Sequence, residues 1–239
     1  MYYVYSAHSV RLGFEMTTEV RMTRKYMKNI LTITKEIAKG KTLIRALMNL
    51  ELRKFSLAGK VIDVGGGQNP SYLRFFKKAD HLQFESVDLA GDKKIDLESN
   101  ALPYQDASAD YVLLFNILEH IYNHQALVKE TIRVLKSDGT VIGFVPFFVG
   151  YHPDPHDYFR YTNESLQKIF KGAGFGSVSV QPVGGGPVLA AFNILMNYFP
   201  RFLTLFAFPW YVLLDWIMLK IRPSLADRFM LGYLFVVKK

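Results

Sequence analysis

The chain has 239 residues, half of them apolar, and it carries a net charge of +8 and no cysteine. An apolar fraction of 50% argues against intrinsic disorder and suffices for the core of one large α/β domain or two small ones. The lack of cysteine excludes disulfides, thiolate metal sites and a catalytic thiol.

The positive charge is concentrated at the N-terminal end. Residues 1–60 contain twelve Lys and Arg against four acids, while the rest of the chain contains seventeen of each sign. Residues 18–56 show the apolar spacing of two helices, broken at residues 39–41. We therefore predict a basic helical extension over residues 1–57, with either a solvated face or an anionic partner, membrane or nucleic acid. The first residues lack the layout of a signal peptide, so the expected location is the cytoplasm.

From residue 60 onwards, short apolar strands alternate with helices. The expected strands have the sequences VIDV, LQFESVDL, YVLLFNIL, TVIGFVPFF, SVSVQPV and YLFVVKK. The expected helices are SYLRFFKKA, which Pro70 opens, HIYNHQALVKETIRVLK, which residues 137–139 stop, and NESLQKIFKGAGF. This alternation predicts an α/β fold with a doubly wound, mostly parallel sheet, with its core in residues 58–186 and its last strand in residues 229–239.

A glycine-rich stretch, VIDVGGGQNP, begins with the first of these strands. A dinucleotide site would require a third glycine where Pro70 stands, and Asp63 would repel a pyrophosphate. S-adenosylmethionine instead carries an ammonium and a sulfonium, which a carboxylate attracts, while Gly65 and Gly67 allow the backbone to approach closely. Asp88 ends the second strand and can accept both hydroxyls of a ribose, which NAD and S-adenosylmethionine share. The turn therefore favours S-adenosylmethionine.

Several motifs in this order resemble those of class I S-adenosylmethionine-dependent methyltransferases, type 11 group. They are VIDVGGGQNP, SVDLA, DLESNALPYQDASADYVLLFNILEHI and VLKSDGTVIGFVPF, and the likeness covers residues 58–180 and resumes at GYLFVVKK. The resemblance implies a seven-stranded, Rossmann-like methyltransferase sheet with S-adenosylmethionine as cofactor. It implies these contacts: Asp63, Gly65 and Gly67 with the methionine part, Asp88 with the ribose, Leu89, Asp96 and Leu97 with the adenine, and Asn116 in the cleft. Gln68 and Asn69 replace the small residues usual after Gly67, which leaves the shape of the turn open.

The loop YHPDPHDYFRYT, just after the fifth strand, is expected to line the ligand crevice. If the acceptor is a hydroxyl, a base must take its proton, and we predict His152 or His156 as this base, oriented by Asp154 or Asp157. The string HDYFRYT also resembles loops of family members from surface-glycan gene clusters, which implies a sugar or lipid-linked acceptor. The alternative is a structural loop leading into a helix capped by Asn163.

A second pair of histidines, His120 and His124, is expected on one face of a helix. We expect no metal ion, because the helical H-E-x-x-H signature is absent. His120 is expected to be a hydrogen-bonded residue at the junction between strand and helix.

An apolar, aromatic helical insert, residues 187–228, interrupts the core before its last strand. Residues 202–219 are long enough to span a bilayer, but Asp215 and Pro209 oppose this, and the strands on both sides must return to one sheet. We therefore expect apolar helices that lie on an anionic membrane surface, helped by basic residues such as Lys220. The alternatives are a lid on the protein's own core and a contact in a homodimer.

These features predict an enzyme that is cytoplasmic, peripheral at the membrane, and O-methylates a glycan or lipid-linked small molecule by in-line transfer from S-adenosylmethionine. Two alternatives are a non-catalytic, membrane-associated S-adenosylmethionine-binding module and a nicotinamide-dependent oxidoreductase. No nucleic-acid acceptor is expected, because FNIL stands where an Asn/Asp-Pro-Pro-aromatic box would follow the fourth strand.

Overall fold

The computed structural model of the protein describes residues 25–67, 69–88 and 93–239. Within them the strands are β1 (Ser56–Leu57), β2 (Lys60–Val64), β3 (Lys77–Lys78), β4 (Gln83–Asp88), β5 (Lys93–Lys94), β6 (Ala109–Phe115), β7 (Leu135–Pro146), β8 (Ser177–Val183) and β9 (Gly232–Lys238). The α-helices are α1 (Ile30–Ala38), α2 (Leu43–Leu52), α3 (His124–Val134), α4 (Asn163–Gly172), α5 (Pro187–Leu195) and α6 (Arg201–Ile221). Short 3₁₀ helices cover Leu73–Phe75, Leu118–His120 and Pro223–Arg228.

Seven strands form one sheet in the order β5-β4-β2-β6-β7-β9-β8. β9 runs antiparallel to β7 and β8, and the other neighbouring strands are parallel. The predicted α/β sheet is therefore confirmed as a mixed sheet. Because parallel strands end at the same edge, the loops after β2, β4, β6 and β7 gather at one end of the molecule.

Two hydrophobic cores lie on opposite faces of this sheet, since successive side chains of a strand point to opposite sides. Val64 and Leu114 belong to the core that includes residues of α3 and α4. Val61 and Leu113 belong to the core that includes residues of α1, α2, α5 and α6. The N-terminal helices and the apolar helices after β8 therefore pack together on one face of the sheet.

The predicted helix SYLRFFKKA is wrong. The chain instead forms the 3₁₀ turn Leu73–Phe75 and then β3, which pairs with β1 in a separate two-stranded parallel sheet. The Tyr72 hydroxyl donates a hydrogen bond to buried Asp63, and Phe76 packs edge-on against Phe115. These contacts with distant parts of the chain override the local helical pattern.

The predicted helix HIYNHQALVKETIRVLK is too long at its start. His120 lies in a 3₁₀ helix, and α3 begins only at His124. Between them, the Glu98 carboxylate accepts the backbone N–H groups of Tyr122 and Asn123 at 2.5 and 3.0 Å. His120 and His124 therefore do not share a helix face, contrary to the prediction.

Two helix ends also differ from the predictions. α3 ends at Val134, and residues 137–139 belong to β7 instead of stopping the helix. The N-cap of α4 is Thr162, not Asn163, because the Thr162 side chain accepts the backbone N–H of Ser165 at 3.2 Å.

Helix α6 is held to the domain along one face. Among the described residues it is the one helix whose length and composition would allow it to cross a membrane. Asp215, near its C-terminal end, is fully buried and accepts the backbone N–H groups of Gly186, Val188 and Leu189 at 2.7, 3.0 and 3.1 Å. The buried residues of α6 are Thr204, Phe208, Val212, Asp215 and Leu219.

Candidate active site

The glycine turn after β2 sits directly on a buried carboxylate. Gly65 and Gly67 adopt φ angles of +81° and +67°, in the left-handed region that favours glycine. Asp63 is fully buried below the turn, and its Oδ1 accepts the Tyr72 hydroxyl at 2.5 Å. Its Oδ2 has no hydrogen-bond partner within the described residues. A Cβ atom added to Gly66 would overlap this oxygen, which shows how closely the turn and the carboxylate approach each other.

The environment of Asp63 shifts the pKa of its carboxyl group towards neutral pH. The pKa of Asp63 is raised to about 7. Burial is the largest cause and the charge of Asp88 adds to it, while the hydrogen bond from Tyr72 and the charge of Arg45 act in the opposite direction. A cation next to the unpartnered Oδ2 would favour the ionised form. The site is therefore suited to a positively charged ligand.

Asp88 approaches the glycine turn from the neighbouring strand. A Cβ atom added to Gly67 would have the Asp88 Oδ2 as its nearest neighbour, at 3.8 Å. Asp88, half-buried, ends β4, and β4 is the parallel neighbour of β2. The unpartnered, buried Asp63 Oδ2 and the nearby Asp88 carboxylate fit S-adenosylmethionine. Asp63 and the glycines would hold its methionine part, and Asp88 its ribose.

The residues predicted to meet the adenine are less clearly placed. Leu89 lies outside the described residues. Asp96 is exposed and accepts the Ser99 hydroxyl and the Glu98 N–H at 2.5 and 3.0 Å, so its carboxylate is engaged in a local turn. Leu97 is buried in the core on the α3 and α4 side.

A cavity of about 590 Å³ opens beside the carboxyl ends of β6 and β7. Asn116, with an unusual φ of +51° for a residue other than glycine, lines it at the end of β6. The loop after β7 contributes His152 and Asp154, whereas His156 and Asp157 are not among its lining residues. Further lining residues come from outside the predicted core: Arg45 and Met48 from α2, and Asn193, Ile194, Asn197 and Tyr198 from α5 and the segment after it.

Asp157 makes several contacts within the loop after β7. Its carboxylate pairs with the Arg160 guanidinium at 2.5 and 2.7 Å and accepts the His152 backbone N–H at 2.9 Å. The hydrogen bonds from Arg160 lower the pKa of Asp157 to about 2. Its Oδ2 also lies 3.5 Å from the His152 Nδ1, while the His156 ring packs beside Tyr158. Asp157 is therefore positioned to orient His152.

The predicted site omitted one acid. Glu119 follows Asn116 by three residues and is fully buried, and burial raises its pKa to about 8. His120 lines the cavity, and its Nδ1 lies 2.5 Å from the His156 carbonyl oxygen. The acid–histidine pair directly after the apolar strand in FNILEHI is the signal that could have identified Glu119.

Comparison with known proteins agrees with this geometry. The family model described as a methyltransferase domain matches residues 64–143, from the end of β2 into β7. The match covers the glycine turn, Asp88 and β6, which Asn116 follows. These residues form a methyltransferase domain.

Relatives of this methyltransferase domain are distant. The chain is 29% identical over 94 residues to a probable S-adenosylmethionine-dependent methyltransferase, MT3114, of Mycobacterium tuberculosis, covering 37% of this chain and 34% of the relative. The matched part thus spans about a third of that protein's length. The activity of the whole protein is therefore taken up below as a proposal.

Solved structures share the fold of the methyltransferase domain. An S-adenosylmethionine-dependent methyltransferase from Archaeoglobus fulgidus superposes with a TM-score of 0.54 at 16% identity, over 82% of this chain and 94% of that one. The [4+2]-cyclase SpnF gives a TM-score of 0.54 at 15% identity, over 93% of this chain and 96% of that one. One of these proteins is a cyclase, so the likeness shows the fold and leaves the reaction to the site residues.

Proposed function

We propose that the protein transfers a methyl group from S-adenosylmethionine to a hydroxyl group of a glycan or lipid-linked acceptor at a membrane surface. The observation that supports it most directly is the unpartnered Asp63 Oδ2 beneath the glycine turn, opposite Asp88. When bound, the cofactor supplies a methyl group on a sulfonium, which leaves as a neutral thioether. The domain's main task is then to align the acceptor oxygen with that methyl group.

His152 is the residue we propose as the group that activates the acceptor hydroxyl. It lines the cavity, and its Nδ1 lies 2.9 Å from the Gly150 carbonyl oxygen, so the neutral ring carries its proton on Nδ1 and a lone pair on Nε2. Acting as a base, Nε2 would take the hydroxyl proton while the O–CH₃ bond forms and the S–CH₃ bond breaks. The predicted alternative, His156, does not line the cavity.

The first prediction concerns cofactor binding and pH. Below about 7 Asp63 is protonated, and a cationic ligand must displace that proton, so the affinity for S-adenosylmethionine falls by close to tenfold per pH unit below about 7. Calorimetry between pH 5.5 and 8 measures this, and Asp63→Asn should bind weakly with no such slope. Asp138→Asn, at an exposed position, keeps the wild-type profile. Tighter binding of NAD than of S-adenosylmethionine would refute the proposal.

The membrane part of the proposal rests on the outer face of α6. Phe202, Phe206 and Trp210, four residues apart, are 69%, 75% and 58% exposed, and Ile221 is 73% exposed. Large apolar side chains in a contiguous exposed row mark an interaction surface in a soluble domain. We define the α6 apolar face as the exposed residues Phe202, Leu203, Phe206, Trp210, Leu213, Leu214, Ile217, Met218 and Ile221.

A helix that lies on the membrane fits this face better than one that spans it. The opposite face of α6 is buried against the domain, where Phe208 packs on Phe192, and the Asp215 carboxylate is engaged by α5. Spanning would expose Asp215 to lipid at a cost of roughly 3 kcal/mol. Lying flat keeps these contacts and buries only the outer face.

Basic side chains flank the α6 apolar face and favour anionic lipid. Arg201 at the start of the helix lies next to the loop that carries Lys39 and Lys41, since its guanidinium donates to the Ala38 carbonyl oxygen at 3.3 Å. Lys220 at the other end is exposed and lies 3.7 Å from the centre of the Trp216 ring. Each basic residue near an anionic surface contributes about 1 kcal/mol.

The cavity lies next to this face, which supports an amphiphilic acceptor. Tyr198 and Ile194 line the cavity and are 81% and 40% exposed, and the α5–α6 connection continues from them to Phe202. An acceptor whose tail stays in the membrane could therefore place its polar head between this segment and His152. The same arrangement supports a peripheral location at a membrane surface.

We expect the protein to float with vesicles that contain phosphatidylglycerol, and the double substitution Phe206→Ser with Trp210→Ser to weaken this about 100-fold, since each side chain contributes about 1.5 kcal/mol. The matched control is Tyr122→Ser, which removes an exposed aromatic ring that packs on Tyr158 instead. Flotation unchanged in the double variant would contradict the membrane proposal. If the wild type formed a dimer and did not bind vesicles, and the double variant were a monomer, the α6 apolar face would be assigned to contact with a second copy of the chain.

A further inference from the structure

We propose that Glu119, His120 and His152 form a binding site for a divalent transition-metal ion beside the cavity, which both histidines line. One ligand atom from each of the three lies within 4.8 Å of the others. Ligands about 2.1 Å from a tetrahedral ion are about 3.4 Å apart, so an ion would draw them together by roughly 1 Å. His152 lies on a loop, and its side chain is 43% exposed, which leaves it free to make this movement.

Glu119 gives the strongest reason to place a cation here. Its carboxylate is fully buried, and within the described residues neither oxygen has a hydrogen-bond partner outside Glu119 itself, although the charge of Arg160 acts on it. Leaving a buried carboxylate without a partner is costly, and such groups are normally paired or coordinate a metal. The His120 Nε2 lies 3.8 Å from the Glu119 Oε1, too far for a hydrogen bond.

The surroundings of both histidines prepare them as ligands. The His120 Nδ1 lies 2.5 Å from the His156 carbonyl oxygen, and the His152 Nδ1 lies 2.9 Å from the Gly150 carbonyl oxygen. Both rings therefore donate through Nδ1 and keep the Nε2 lone pair for an ion. The Asp157 Oδ2 lies on the Nδ1 side of the His152 ring and supports this orientation. Backbone carbonyls and carboxylates in this role are typical of metal-binding histidines.

The ligand set indicates the class of ion. Two imidazoles and one carboxylate suit Zn²⁺, Mn²⁺, Fe²⁺ or Co²⁺ better than Ca²⁺, which prefers oxygen ligands. The sequence pattern H-E-x-x-H misses this site because the acid is adjacent to one histidine, and the second histidine lies 32 positions along the chain.

The ion would explain how a hydroxyl is activated in this cavity, an extension that rests on the proposed function. Glu119, His120 and His152 would hold the ion, and the cation would lower the pKa of an acceptor hydroxyl bound to it. The O–H proton would leave to solvent, the oxygen would form its bond to the methyl carbon, and the S–CH₃ bond would break. With the ion bound, the ion takes over the activation of the hydroxyl from His152, and the His152 Nε2 serves as a metal ligand instead of a base.

Metal binding can be measured without acceptor or cofactor. The untagged full chain, stripped with EDTA, should bind one Co²⁺ or Zn²⁺ per molecule, seen by Co²⁺ absorption and by calorimetry. Glu119→Gln and His152→Ala should each weaken binding by roughly 100-fold. His156→Ala is the matched control from the same loop, because only its backbone carbonyl supports the site, and it should bind as the wild type does.

Two results would overturn the assignment. One is wild-type binding weaker than about 1 mM, and the other is equal binding by the wild type, Glu119→Gln and His152→Ala. Binding of S-adenosylmethionine by His152→Ala reports that the variant is folded. Because that measurement is separate, failure of the metal site and failure of the proposed methyltransferase activity are distinguishable.

Discussion

Replacing Gly66 with alanine is expected to lower the free energy of unfolding by about 4 kcal/mol, since overpacking and a broken buried hydrogen bond each cost roughly 2 kcal/mol. The added Cβ would overlap the Asp63 Oδ2 and would lie 2.5 Å from the Tyr72 hydroxyl oxygen. Neither neighbour can move away easily, because both side chains are buried and bonded to each other. The turn must therefore shift, and we expect the affinity for S-adenosylmethionine to fall by at least roughly 100-fold.

Urea denaturation and calorimetry measure the two effects of Gly66→Ala. The matched control is Gly172→Ala at the end of α4, where an added Cβ would meet no atom within 4 Å. That variant should be as stable as the wild type or slightly more stable, because alanine restricts the unfolded chain. Wild-type stability and affinity in Gly66→Ala would mean that the carboxylate and the turn are not in contact.

The parts of this fold that the sequence predicts well are those with a strong local pattern. β2 and β8 lie where the sequence predicts them, whereas β6 begins two residues before the predicted strand and ends at Phe115, three residues before its predicted end. The gap between α1 and α2 likewise follows the predicted break at residues 39–41. In each case the local preference and the tertiary packing agree.

The failed helix after the glycine turn shows where local patterns stop being sufficient. SYLRFFKKA has a helical composition, but Tyr72 bonds to Asp63 and β3 pairs with β1, both contacts with an earlier part of the chain. A hydrogen bond to a buried acid and a strand pairing outweigh helix propensity, which amounts to a few tenths of a kcal/mol per residue. No window of the sequence contains this information.

The candidate site was predicted in part for the same reason. The loop after β7 is recognisable from its composition, but which of its histidines faces the cavity depends on the pairing of Asp157 with Arg160. The adjacent His120 is a local signal for Glu119, but its place in the site becomes evident only when the fold brings His152 beside it. The cavity wall from α2 and α5 comes from segments outside the predicted core and follows only from the packing of the helices.

Asp215 illustrates how one residue changes meaning once its partners are known. In the sequence it is a charge inside an apolar stretch, a cost for any membrane helix. In the fold its carboxylate accepts backbone N–H groups at the start of α5, where the N-cap residue Gly186 has no side chain to do so. The residue therefore fastens α6 to α5 and leaves the opposite, apolar face of α6 exposed.

Replacing Asp215 with alanine is accordingly expected to lower the free energy of unfolding by about 3 kcal/mol, because three backbone N–H groups at the start of α5 lose their acceptor. Burial raises the pKa of Asp215 more than the N–H donors of Gly186, Leu189 and Val188 lower it, so the ionised form is not itself a source of stability. Asp215→Asn keeps one oxygen acceptor without the desolvation of a charge and should cost less than about 1 kcal/mol.

Urea denaturation of the two Asp215 variants tests this interpretation, with Asp138→Ala as an exposed control expected within about 0.5 kcal/mol of the wild type. Loosening of α6 in Asp215→Ala would also expose Phe208 and Phe192, now packed 5.4 Å apart between ring centres, and should increase binding of a hydrophobic dye. If the alanine variant were as stable as the asparagine variant, the carboxylate would not be the fastening of α6, and the argument that this helix lies flat instead of spanning would lose its main support.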